Sequence, residues 1–534
     1  GGPTAPWGRG WSSSEFSNAN FVIELAGSDW NPDAEVDWLR IMVYYSPIKY
    51  FWTNDGAIGN FTNAGCWVTN GVASETYPGS VDNANFTNAV DFAINWSSSP
   101  TNADAYFNPT GHTATLKIGV GNTWTLTNSF IVGQNGGATS TVVLTNGTLA
   151  VSNDAGTASL IVGQTGKGTF SLTGGTVFAN VLLATNNTAS VTKSLLNLGS
   201  GTLITSNAAN QTAARVIVPY VADVKYSINA NWNMLGGTNR IASVSAGGGG
   251  DRVGPITIGN GVSNVTVTVG SNTILDTGSF TPLQVGSGFG GGNRLVITNG
   301  GQVRNGTSPA GSPNFTGIGV SSSNNSAVVT GPGSVWWLTN TAGMTPGVTI
   351  GYGTGVSNSL IIANGGMVTN TSGGVGGTRT TVLVTDTGSV WNVGFNFGPA
   401  GTLCEEIISN GARWVTVGLL SSDGGTVSNT IVVTGAGTVW SNTGSYITIG
   451  KRGNYAGLLV TNGGWVRNIG TFEVDGSQGS GLNGNGDWTV VTGPGSMLSN
   501  SSTLGVGNTY SVSNNSLLVD NGAVVYSTAG TLAN

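Results

Sequence analysis

The sequence predicts an all-β protein, a right-handed parallel β-helix with a small β-rich head. Three observations predict it. Two short phrases alternate along the second half of the chain. One reads VVTGPGSVW at Val328–Trp336 and returns at Val382–Trp391, Ile431–Trp440 and Val490–Leu498. The other reads ITNGGQV at Ile297–Val303 and returns at Ile362–Val368, Ile408–Trp414, Val460–Val466 and Val519–Val525. Successive phrases start 23 to 33 residues apart, too little chain to bury a core alone, so the units must stack. Finally, 88 of the 534 residues are Gly, only 7% are charged, and no stretch keeps a helical period.

Each element follows from that pattern. Short β-branched runs read as strands, and the Gly, Asn, Ser and Thr clusters between them read as turns. A disordered chain would lack the Val, Ile, Leu and Trp runs. A collagen would keep a strict Gly-X-Y period. Residues 111–534 carry the coil pattern, beginning at LKIGVGNTWTLTNSFIVGQ. Residues 51–110 lead into it. Residues 1–50 stand apart, with Trp7, Trp11, Trp30 and Trp38 and a strand-like end, and read as a cap on the first coil or as an assembly segment.

Charge divides the chain in the same way. Residues 1–110 carry 11 of the 23 acidic side chains and 3 of the 17 basic ones. The body is nearly neutral and offers no basic nucleic-acid face. The longest apolar stretch, Val36–Trp52, holds Asp37, Arg40, Pro47 and Lys49 and is too interrupted to span a membrane. Two cysteines, Cys66 and Cys404, make no disulfide framework; they are free or link different molecules. Few Cys and Lys with abundant Asn, Thr and Gly suit an exported protein of a cell surface.

Chemistry is sparse. His112 is the only histidine, so a His-rich metal site is excluded, and it reads as a solvated turn residue. No zinc spacing, phosphate loop or nucleophile elbow is present, and no cofactor is expected. One position breaks the repeat. Aligned internally, Leu295, Leu360, Glu406, Leu458 and Leu517 share a column. Strand alternation puts that column on the same face as the Ile or Val two residues later. A buried ionised carboxylate is costly, so Glu406 must find a partner or become neutral. Asp386 stands where Gly331, Gly435 and Gly493 stand in sister repeats. With Glu405 and Asp423 these residues form the densest acidic set of the body, the one place where a glycan-cleaving carboxylate pair could form. A locally flipped coil that turns Glu406 to solvent is favoured over a catalytic site.

The remaining recurrent residues read structurally. Asn299, Asn364, Asn410, Asn462 and Asn521 each precede a turn Gly, where Asn tolerates left-handed backbone; stacked coil on coil they predict an Asn ladder. Trp336, Trp391 and Trp440 predict stacking within the wall, with a carbohydrate platform as the alternative.

The alternation of TGPGSVW-type and VTNGG-type phrases, with IGYG, IGKRG and LGVGN between them, resembles the autotransporter/PEP-CTERM-associated repeat family. The match is good over 297–525, weaker over 112–296 and absent over 1–50. The segment WVTNGVASETYPGSVDNANF also resembles the start of autotransporter-like passengers. The resemblance implies a β-helix on the surface or in the matrix of a Gram-negative bacterium. A terminal sorting tail and a translocator barrel, both hallmarks of such proteins, are not in this sequence. The expected function is structural, with a glycan-active enzyme or a glycan-binding adhesin as alternatives. The last strands run in β pattern almost to Asn534, which leaves an edge open to pairing. Trp38, Ile41, Val43 and Tyr45 on the head could pair with that edge in a neighbour, giving a head-to-tail homopolymer.

Overall fold

The computed structural model describes residues 47–54, 58–184, 194–206, 214–218, 226–243, 255–278, 281–306, 315–338, 347–399, 401–420, 427–451, 453–474, 485–507 and 512–532. Two compact units divide between Ile48 and Lys49. The first is almost wholly outside the described residues, and with it the head candidates Trp38, Ile41, Val43 and Tyr45. Asp423 is outside them as well.

The second unit is a parallel β-solenoid. Its forty-eight described strands join in one hydrogen-bonded system. The only described helical element is a single turn of 3-10 helix at Ala64–Cys66. One coil shows the plan. The chain runs through Thr430–Thr434 on a first sheet, Val439–Asn442 on a second and Tyr446–Ile449 on a third. It then returns to the first sheet at Gly457–Thr461, one layer on. Each strand pairs in parallel, residue for residue, with the strand of the next coil, as Ile431 does with Leu458 and Trp440 with Val466.

The strand pattern fixes what each sheet buries. Alternate residues point inward, and the inward Val, Ile, Leu and Trp of consecutive coils form one buried core. The turn between first and second sheets explains the two phrases. Asn364, Asn410, Asn462 and Asn521 hold φ between 50 and 53°, a left-handed conformation that Asn accepts most readily after Gly. Their side chains do not stack on each other, because Asn-Gly and Thr-Gly turns alternate. Asn364 Nδ2 donates to Thr330 Oγ1, and Asn410 Nδ2 to Thr385 Oγ1, each at 3.1 Å. The Ser or Thr of the alternate phrase completes the exchange: Gly365 N donates to Ser389 Oγ at 2.9 Å. The expected turn ladder is therefore an Asn–Thr alternation.

Coils begin earlier than the repeat pattern indicates. Lys49–Trp52 already pairs in parallel with Asn83–Phe86, and Ile58–Asn60 with Phe92–Trp96. On its other edge Lys49–Trp52 pairs antiparallel with Trp67–Thr69, which forms a hairpin with Val72–Ala73. This hairpin covers the first edge of the second sheet, and an aromatic plug fills the interior behind it. Trp67 packs edge-on against Trp52 and Phe61 at 5.0 and 5.1 Å, and donates Nε1–H to Phe61 O at 2.8 Å. Phe61 stacks on Trp96 at 5.3 Å. Residues 51–110 thus supply both the first coils and a cap for them.

Candidate functional site

The acidic set is built around Glu405–Ser409. That strand pairs without a bulge with Thr381–Thr385 on one side and Thr430–Thr434 on the other. Strict alternation puts Glu406 and Ile408 inside. Glu406 is 0% exposed, with Val382 and Ile431 as its ladder neighbours. The flipped coil expected from the sequence does not occur. Flipping one strand would move Ile408 to solvent with Glu406, and would break register on both edges.

The other candidates lie elsewhere. Glu405 is exposed on the outer side of the same sheet. Asp386 sits one coil earlier, in the turn after Thr381–Thr385, at φ 74°, where Gly331, Gly435 and Gly493 hold 90 to 97°. Its Oδ2 accepts from Asn364 N at 3.2 Å. Glu406 and Glu405 therefore face opposite sides of one strand, and Asp386 is committed to a turn. Their arrangement forms no carboxylate pair flanking a common groove.

Glu406 has a buried neighbour in Cys404. Burial pushes this thiol up from its ordinary value, backbone hydrogen bonds oppose the shift, and the charge of Glu406 adds to it. The thiol points at the carbonyls of Gly376 and Gly377, 3.5 and 3.6 Å away. A nucleophilic cysteine needs a lowered pKa and access, and Cys404 has neither. Cys66 is also buried, and burial raises its thiol too. Both cysteines are free. Of the two readings the sequence left open, free or linking different molecules, the buried positions fit the first.

Polar ladders run inside the solenoid at positions that the sequence reading overlooked. At the end of the second-sheet strand, Thr416 Oγ1 donates to Asn442 Oδ1 at 2.9 Å, Asn442 Nδ2 to Asn468 Oδ1 at 2.7 Å, and Asn468 Nδ2 to Asn500 Oδ1 at 2.8 Å. A second ladder lies before the first-sheet strand. Asn293 N donates to Asn325 Oδ1 at 3.0 Å and Asn325 N to Asn358 Oδ1 at 2.9 Å. All six of these Asn are buried. A signal was present: Asn recurs two residues after the inward Trp or Val, and two residues before the inward Leu. Gly in the I-G-x phrases makes room for the second ladder. At Gly319, with φ 72°, a Cβ would stand 2.1 Å from the Asn358 side chain.

The Trp column stacks, and its rings point into the interior. Trp336, Trp391 and Trp440 are buried, and Trp414 lies between the last two. Trp391 stacks on Trp414 at 5.5 Å and Trp414 on Trp440 at 4.6 Å. Trp336 Nε1 donates to Asn305 Oδ1 at 2.7 Å, Trp391 Nε1 to Asn370 Oδ1 and Trp440 Nε1 to Thr416 Oγ1, each at 3.1 Å, whereas the buried Trp414 Nε1 has no partner among the described residues. These rings offer no face to a carbohydrate. The exposed rings are others, among them Trp337 and Tyr526.

His112 is partly exposed, its Nδ1 3.5 Å from Asp91 Oδ1, as a turn residue should be. Among the described residues no cluster of three or more His, Cys, Asp or Glu is placed to hold a metal ion. No described helix is long and apolar enough to cross a membrane.

Fold and interior together define a β-solenoid repeat protein. Compared with known proteins, the chain matches no family model, no curated relative and no solved structure.

Proposed function

We propose that this chain is an extracellular structural protein, a scaffold of a bacterial cell surface, matrix or filament built from copies of itself. One observation carries this reading. The interior is bonded along the stacking direction by uncharged ladders such as Asn442–Asn468–Asn500. Such ladders strengthen a long regular stack and do nothing for a single reactive point. Of the described acidic candidates, Glu405 and Glu406 face opposite sides of one strand and Asp386 lies in a turn, which supports the same reading. So does the resemblance of the repeat phrases to those of bacterial surface proteins.

The test has two arms. Purified protein is incubated with a panel of acidic and neutral polysaccharides, and new reducing ends or unsaturated uronates are measured. Intact producing cells are probed for the protein by surface proteolysis. A scaffold yields no product and is cleaved from the cell surface. Product formation that Glu406→Gln abolishes would make the protein an enzyme.

A further inference from the structure

The outer side of the first sheet carries an uninterrupted aliphatic row. It starts at Val296, runs through Leu383, Ile407 and Val432, and ends at Leu518, one residue in each of nine consecutive strands. Every step is in register, with no bulge. The row points away from the core that Ile408 and Val433 enter. Most of its members are half-buried, Val328 is buried, and Leu518 at the end is 52% exposed. The chief partners of the described strands of this sheet are their stacked neighbours.

Mostly Ser and Thr flank the row, with Trp488 the one aromatic ring in the flanking rows, at their far end beside Gly457. Thr381 and Thr385 bracket Leu383, and Thr430 and Thr434 bracket Val432. Between the end strands the only charge in the three rows is Glu405. The second sheet is different. Its outer rows are broken by Arg304, Arg413 and Arg467, the last lying 4.7 Å over the Trp465 ring. Charges of that kind keep a sheet face from self-association, and the first sheet lacks them.

We infer that the outer face of the first sheet, from Val296 to Leu518, is a docking surface for the same face of a second copy of this chain. The inference rests on the scaffold reading and names the surface through which copies pack. Three arguments select this occupant. The central row is all branched aliphatics and the face carries a single aromatic ring, Trp488 near its end; that makes it a poor platform for sugar rings, which stack on aromatics, and a good one for another dry sheet. A second copy repeats at the same interstrand spacing, so its row can interdigitate along the full length, as identical sheets do in tightly packed β-faces. The size also suits. Nine strands about 4.8 Å apart and five residues wide present roughly 600 Å², near the approximately 800 Å² per partner of a stable interface. Sheets packed in this way lie about 10 Å apart, with strands within about 30° of each other.

Sedimentation velocity of the full chain over a concentration series tests this. The wild-type protein should show a reversible dimer. Leu383→Lys, an outward change, should raise the dissociation constant about tenfold or more, because a lysine would be buried without a partner. Val439→Lys on the neighbouring sheet should change it less than about twofold. Circular dichroism and the unfolding midpoint confirm that both variants are folded. Ile407→Cys gives a second readout independent of weakened binding: under oxidation it should form disulfide-linked dimers, and Val439→Cys should not. A protein that stays monomeric at the highest concentration reached overturns the inference, as does equal loss with both Lys variants. Binding of monomers to an insoluble polysaccharide that Leu383→Lys abolishes would reassign the face to carbohydrate and overturn it too. Loss of dimerisation in Leu383→Lys alone tests this face, whereas polysaccharide cleavage and surface proteolysis test the scaffold reading, so the two fail separately; a wild-type protein that never associates counts against both.

Discussion

Asn442 donates its side-chain N–H to the carbonyl of Asn468 across 2.7 Å in the interior, one coil to the next. Asn468 repeats the gesture toward Asn500 at 2.8 Å. Each amide is donor below and acceptor above, so one residue serves two layers. The alternation of phrases in the sequence therefore reaches the interior as a continuous axial chain of hydrogen bonds.

Breaking that chain should be costly. Asn468→Ala removes an acceptor from Asn442 and a donor from Asn500 in a dry environment. The expected loss is about 1–3 kcal/mol of unfolding free energy, read from denaturant midpoints. Asn462→Ala, at an exposed turn with a single bond to Thr434, is the control. It should cost less, about 1 kcal/mol, mainly for placing Ala at φ 52°.

Glu406→Leu should be neutral or stabilising, by up to a few kcal/mol. Its ladder neighbours Val382 and Ile431 are aliphatic, and alternate coils already place Leu in the column. Equilibrium unfolding at neutral pH measures it. A clear loss would mean that the carboxylate is held by partners worth more than the hydrophobic contact.

Gly319 in the Ile318-Gly319-Val320 phrase and the turn glycine Gly121 divide a steric effect from a conformational one. Gly319 and Gly121 have φ of 72 and 82°. A Cβ on Gly319 would meet Asn358, whereas one on Gly121 meets nothing within 4 Å. Gly121→Ala should therefore cost about 1 kcal/mol for left-handed backbone alone. Gly319→Ala should cost distinctly more, and thermal unfolding of the two variants gives the difference.

Glu473 predicts a pH dependence. Burial raises its carboxyl above the ordinary range. A raised folded pKa means that the folded state holds the proton to higher pH than the unfolded chain does. Stability therefore falls as pH rises from the unfolded carboxylate pKa through the folded one. Glu473→Gln should remove that component of the decline in an unfolding series over the acidic range.

Much of the fold was legible because its signals are local and repeated. Alternation in ISNGARW and its sisters gave strands, face and the Glu406 column. The left-handed turns at Asn364 and Asn410 followed from Asn-Gly alone. The misreadings had physical causes. Glu406 was expected to escape to solvent on its own cost, but the register of two neighbouring strands outweighs one buried carboxyl. The Asn ladder was sought at the turns, where Asn is most conspicuous, whereas the stacked amides lie inside beside Trp336 and Trp440. The hairpin Trp67–Ala73 was missed because it is antiparallel and belongs to no repeat.

Native-state hydrogen exchange read by mass spectrometry tests the central claim most directly. A structural stack bonded through its interior predicts strong protection that is even across the strands from Arg294 to Val506, with Glu405–Ser409 as slow as Thr381–Thr385 and Thr430–Thr434. Fast exchange confined to Glu405–Thr416 would reveal a locally opening coil around the buried carboxyl, and would contradict the account.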